Sequence, residues 1–129
     1  MIYSLEDTKS LATSLAKNAK PGDCYCLLGD LGAGKTEFAR SFIQSICGDI
    51  KVSSPTYNIV LNYDNIYHFD LYRIKHESEL EEIGLEDALK NGICLIEWPQ
   101  IAASFLPTNK IEITFEVIDD QSRKITISQ

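Results

Sequence analysis

No stretch of this 129-residue sequence approaches 18 consecutive apolar residues, which excludes an ordinary membrane-spanning helix. The opening MIYSLEDTKS lacks the basic region and long apolar block of a secretory signal, so a soluble, cytoplasmic protein is expected. Basic residues are scarce: twelve Lys and Arg stand against nineteen Asp and Glu, a formal charge of -7. A molecule so charged repels phosphate backbones and anionic membranes at long range, and no run of Lys and Arg supplies a local patch. Direct grip on nucleic acid is therefore disfavoured. The cysteines Cys24, Cys26, Cys47 and Cys94 lack paired CxxC spacing and sit in apolar contexts, so they read as small buried hydrophobes. Cys24 and Cys26 share one face of a strand, so a metal or redox pair is the alternative reading. Repeats, low-complexity tracts and linkers are also absent. With 44% hydrophobic content, residues 1–129 are expected to form one domain.

What is present alternates between helical and strand periodicity. From Ser4 to Ala19, the residues Leu5, Thr8, Leu11, Ala12, Leu15, Ala16 and Ala19 recur at helical spacing, with Ser4 and Asp7 as a start signal and Pro21 and Gly22 as the stop. Cys24 to Leu28 reads as a buried strand. Phe38, Ala39, Phe42, Ile43, Ile46 and Cys47 mark one face of a second helix that Gly48 closes with a left-handed cap. Asn58 to Tyr63 and Ile66 to Leu71 flank Asp64 and Asn65 as a hairpin. The acidic segment HESELEEIGLEDALKNG predicts two short helices broken at Gly84. ICLIEWP gives another buried strand, and Ile111, Ile113, Phe115 and Val117 pair across a turn with Ile125 and Ile127 as an antiparallel hairpin.

Between the first strand and the second helix lies GDLGAGKT, in which Gly29, Gly34, Lys35 and Thr36 satisfy GxxxxGK[ST] in the strand-to-helix context that gives that pattern meaning. Glycines let the backbone turn its amide hydrogens inward around phosphate oxygens, and the helix amino terminus adds donors and partial positive charge. Lys35 would neutralise the outer phosphates. Thr36 would place its hydroxyl on a magnesium ion bridging the same oxygens. The expected fold is α/β: a single P-loop NTPase-like domain, with a mixed sheet, a C-terminal antiparallel hairpin and helices on both faces.

Other residues gain meaning from this cradle. Glu97 ends the apolar run Ile93 to Ile96, and on a parallel strand beside the cradle its carboxylate would emerge at the ligand edge of the sheet, suited to magnesium. If YHFDLYR is extended, His68, Asp70 and Tyr72 share a face, and Asp70 can orient water or metal-bound water. The plainer alternative is a polar hairpin face with His68 in a local hydrogen bond. A zinc site from His68, Asp70 and a distant carboxylate has only unspecific spacing behind it. Ser54, Pro55 and Thr56 form a turn or carry a hydroxyl toward the metal. Trp98 is either a packed aromatic or a partner contact.

GDLGAGKT, SPTY, HFDLYR and LIEWP, in this order and spacing, resemble the bacterial TsaE family of tRNA threonylcarbamoyladenosine biosynthesis proteins over nearly the whole chain. The resemblance implies a small P-loop ATPase that uses ATP and magnesium. It also implies that the protein binds TsaB and TsaD and supports t6A modification of adenosine 37 in tRNAs reading ANN codons, meeting tRNA only indirectly. By that resemblance the stretch Gly32, Ala33, Gly34, Lys35, Thr36 and Glu37, with Gly29, holds the phosphates. Thr36 and Glu97 bind magnesium, Asp70 is needed for hydrolysis, and Leu5 to Thr8 touch the adenine. One departure is Glu37, where family members often have a second threonine. A carboxylate there suits the helix dipole but lies near the triphosphate. Two rival readings remain: a nucleotide-sensing binding module, and a small-molecule kinase, for which the three arginines Arg40, Arg73 and Arg123 offer little lid chemistry.

Overall fold

The computed structural model describes residues 2–30, 32–53 and 59–128. Its seven strands join one sheet: β1 (Ile2–Ser4), β2 (Cys24–Leu28), β3 (Val60–Tyr63), β4 (Ile66–Asp70), β5 (Ile93–Glu97), β6 (Ile111–Asp119) and β7 (Ser122–Ser128). Their order is β1-β7-β6-β2-β5-β4-β3. The central pairs β2/β5, β2/β6 and β4/β5 are parallel. The outer pairs β1/β7, β6/β7 and β3/β4 are antiparallel, so the sheet is mixed and ends in the expected hairpin.

Alternation along the central strands sorts side chains onto two faces. Tyr25 and Leu27 of β2, Leu95 of β5 and Phe115 of β6 point toward α1 (Leu5–Lys17) and α2 (Lys35–Cys47). Cys26, Phe69, Cys94 and Ile96 point the other way, toward α3 (Ser78–Glu82), α4 (Leu85–Asn91) and a 3-10 segment, Pro99–Phe105. Helices thus cover both faces. Phe38 and Phe42 fasten α2 to the sheet, with ring centroids 5.6 Å from Phe115 and 5.0 Å from Tyr25 respectively. Each ring contributes about 1.5–3 kcal/mol by burial alone, enough to fix where α2 begins.

Local signals account for most boundaries. Ser4 caps α1 through a reciprocal capping box with Asp7. Gly48 ends α2 at φ 89° and ψ -170°, a positive φ suited to glycine but not the left-handed helical cap expected, and Asp64 turns the β3–β4 hairpin at φ 60°. The structure adds a short strand at residues 2–4, which pair with residues 122–124 of β7, and it corrects an expectation about β4. β4 stops at Asp70, where its carboxylate accepts from the Tyr72 amide at 3.0 Å, so Tyr72 lies beyond the strand and does not continue the His68 and Asp70 face. Asn58 and the Ser54, Pro55 and Thr56 turn fall outside the described residues.

Cys24, Cys26 and Cys94 are buried, and Cys47 is partly so; all are free thiols. Burial pushes the Cys94 thiol up to about 12, which makes it an inert hydrophobe.

Candidate functional site

The strands β2, β5 and β4 end at one level, because Leu27 pairs with Glu97 and Glu97 pairs with Asp70. This is the carboxyl edge of the sheet's parallel strands, where α/β folds place ligands. A cavity of about 600 Å³ opens there, lined by Gly32, Gly34, Lys35, Thr36, Glu37, Asp70 and Glu97 among others. Gly29 and Ala33 lie just behind that wall, against β6. The expected cradle residues and the two acids, all among the described residues, therefore gather at one edge.

The cradle's shape depends on glycine. Gly29 has φ 145°, and a Cβ there would stand 2.6 Å from the Phe115 carbonyl oxygen. Gly34 has φ 105° and immediately precedes α2, so the amide donors of the first turn open toward the cavity wall.

Five polar or charged side chains are buried among the described residues: Thr8, Lys35, His68, Asp70 and Glu97. Four of them line the cavity, and the fifth, His68, meets Glu97 with Nε2 2.6 Å from Oε2. Burying charge is costly, and among the described residues it happens only at the cavity. The Lys35 ammonium donates to the Gly29 carbonyl at 2.6 Å and lies 3.9 Å from the centre of the Trp98 ring. Burial holds its pKa below the lysine norm, while the carboxylates of Glu97, Asp70 and Asp30 act in the opposite sense. Trp98 adopts a left-handed conformation at φ 57° and packs against Tyr72 at 4.9 Å.

Five carboxylates (Glu6, Glu37, Asp70, Glu97 and Asp120) face the cavity against three cationic side chains, Lys9, Lys35 and Arg123. A polyphosphate would enter this acidic surround only with a cation to offset the repulsion. No group of three or more His, Cys, Asp or Glu able to hold a metal by itself exists among the described residues. A hydroxyl and one acid, completed by phosphate oxygens and water, is what magnesium commonly accepts, so Thr36 and Glu97 fit it.

The match to known proteins covers the same elements. Residues 2–125 match the family model for the threonylcarbamoyl adenosine biosynthesis protein TsaE. The chain belongs to the TsaE family. A tRNA threonylcarbamoyladenosine biosynthesis protein TsaE of Rickettsia felis is 44% identical over 127 residues, covering 95% of this chain and 74% of that one. Its Bacillus subtilis counterpart is 38% identical, covering 95% and 80%. The crystal structure of Bacillus subtilis YdiB superimposes with a TM-score of 0.78 at 32% identity, over 98% of this chain and 83% of YdiB.

Within this TsaE-family chain, several contacts escape inspection of the sequence. Arg123, on β7, donates through Nε to the Ala33 carbonyl at 3.0 Å and through Nη1 to the Asp119 carbonyl at 2.7 Å, tying the cradle to the β6–β7 turn. A register shift between Val117 and Asp119 accompanies that turn. Leu5, Glu6 and Thr8, at the start of α1, form the opposite wall. Glu37 pairs with Arg40 one helical turn on, so part of its charge is compensated locally.

Proposed function

We propose that this TsaE-family chain binds ATP with magnesium in the cavity at the β2, β5 and β4 edge and hydrolyses it slowly. In this reading it acts in tRNA threonylcarbamoyladenosine formation, in the cytoplasm, alongside TsaB and TsaD. The observation that carries the reading is the confinement of buried charge to the glycine-built cradle and the two acids beside it. The main-chain amides of the cradle and the α2 amino terminus receive the phosphates. Lys35 exchanges its bond to the Gly29 carbonyl for the outer phosphate oxygens. Thr36 and Glu97 hold magnesium, which when bound offsets the charge of the triphosphate. Asp70, with one oxygen fixed by the Tyr72 amide, orients the attacking water. The Leu5 to Thr8 wall takes the base. The net charge of -7 suits a component that reaches tRNA through partner proteins rather than by its own surface.

Phosphate release, measured for the chain alone and with TsaB and TsaD, tests this. Lys35→Ala and Glu97→Ala should each lower turnover by about 100-fold or more, as loss of a preorganised electrostatic group does. Unchanged turnover in both removes the site. Tight ATP binding without hydrolysis in the assembled complex would favour a nucleotide sensor, and phosphate appearing on an added metabolite would favour a kinase.

A further inference from the structure

We propose that His68 is the positioning residue for Glu97, fixing the carboxylate so that it meets magnesium instead of collapsing onto Lys35. The proposal rests on the nucleotide and magnesium reading above.

His68 is 0% exposed, on the face of β4 that also carries Asp70, and it stands opposite Leu95, two residues before Glu97 on β5. Its ring reaches along the sheet to Glu97, with Nε2 2.6 Å from Oε2. Nδ1 is buried without a hydrogen-bond partner among the described residues, so this one bond is the polar anchorage they give the ring. A ring serving only as core filling would be better replaced by leucine, which leaves no buried nitrogen unsatisfied. The nitrogen's cost is offset only if the other one has a task, and the group it meets is an acid at the cavity wall.

That acid has competing attractions. Lys35 shares the cavity with it, and an ammonium and a carboxylate in a partly dry pocket draw together. In the structure each is held elsewhere: Lys35 by the Gly29 carbonyl and the Trp98 ring, Glu97 by His68. Oε2 is engaged by the ring, and the other oxygen remains for the cation. This is how outer residues commonly orient a metal-binding carboxylate, and removing one typically costs about 10- to 100-fold in metal affinity or activity.

The experiment titrates magnesium into the full chain with a fluorescent ADP, and repeats the nucleotide titration in EDTA, for wild type and for His68→Leu, His68→Asn and His68→Gln. Glutamine carries its amide to about the position of Nε2, whereas asparagine stops short. Leu and Asn should raise the magnesium half-saturation by about 10- to 100-fold. Gln should stay close to wild type, and metal-free nucleotide affinity should be unchanged in all three. Thermal melting checks folding, and if the Leu variant does not fold, the comparison of Asn with Gln decides. Wild-type magnesium dependence in folded Leu or Asn variants, or a Gln variant as impaired as Asn, overturns the positioning role while leaving the nucleotide reading intact. A wild-type chain that binds no nucleotide with or without magnesium overturns that reading, and this proposal with it.

Discussion

At Lys35, burial lowers the ammonium's pKa below the ordinary 10.5, and the nearby acids only partly counter it. The phosphates of a bound nucleotide would add negative charge beside the same nitrogen, so the complex holds the proton more tightly than the free chain does. By linkage, affinity is full while Lys35 is protonated in the free chain and falls as pH rises through its lowered pKa, before an ordinary lysine would lose its proton. Dissociation constants for magnesium–ADP, measured from neutrality toward pH 10.5, should weaken in that window for wild type. Lys35→Arg, which keeps its charge throughout, should bind less well but with a flat profile. An identical slope in the arginine variant would place the titrating group elsewhere.

The element that most constrains the site is the turn from β2 into α2, and its glycines are not equivalent. At Gly29 an added methyl would meet the Phe115 carbonyl at 2.6 Å, an atom of β6 backbone that cannot move without disturbing the β2–β6 ladder. Gly32, at φ 79°, has nothing among the described residues within 4 Å of the equivalent point. Gly32→Ala should therefore cost only the left-handed conformation, about 1–2 kcal/mol. Gly29→Ala should add overpacking of about 1–3 kcal/mol and draw the cradle away from β6. Chemical denaturation of the two variants checks this, and a Gly32→Ala cost equal to or above that of Gly29→Ala would exclude close packing as the reason for glycine at 29. The same turn marks how far the sequence alone reaches. Both long helices, the cradle and the two hairpins were legible because capping boxes, left-handed glycines and apolar periodicity act within a few residues. The emergence of Glu97 at the ligand edge also followed once a parallel strand was assumed, whereas its level pairing with Asp70 needed the β4–β5 register. The rest depends on chain-distant contacts with no local trace. β1 exists because residues 122–124 pair with it, Arg123 reaches Ala33 across 90 positions, and His68 finds Glu97 across 29. Trp98 was ambiguous for the same reason: its task is set by Lys35, which arrives from another element.

For the molecule as a whole, the decisive quantity is its sign of charge. A chain at -7 and a nucleotide that is itself an anion repel before they meet, and at about 0.01 M salt the screening length of about 30 Å lets that repulsion act across the whole domain. At about 0.1 M the length shrinks to about 10 Å, and what the ligand then feels is mostly the cavity itself. Lys35 is buried at the contact, so its attraction is screened much less than the field of the exposed acids. The association rate for magnesium–ADP, followed by stopped flow, should therefore rise as salt increases over this range, while the dissociation rate changes little. A nucleic acid held by direct phosphate contacts behaves oppositely, because salt competes with the released counterions and affinity falls steeply. If the association rate instead falls with salt, a local positive field governs entry, and a direct route to tRNA would regain standing. If it rises, the same surface that slows the nucleotide at low salt would repel a tRNA backbone more strongly still, and contact with the modified RNA would have to run through a partner that supplies the missing positive charge.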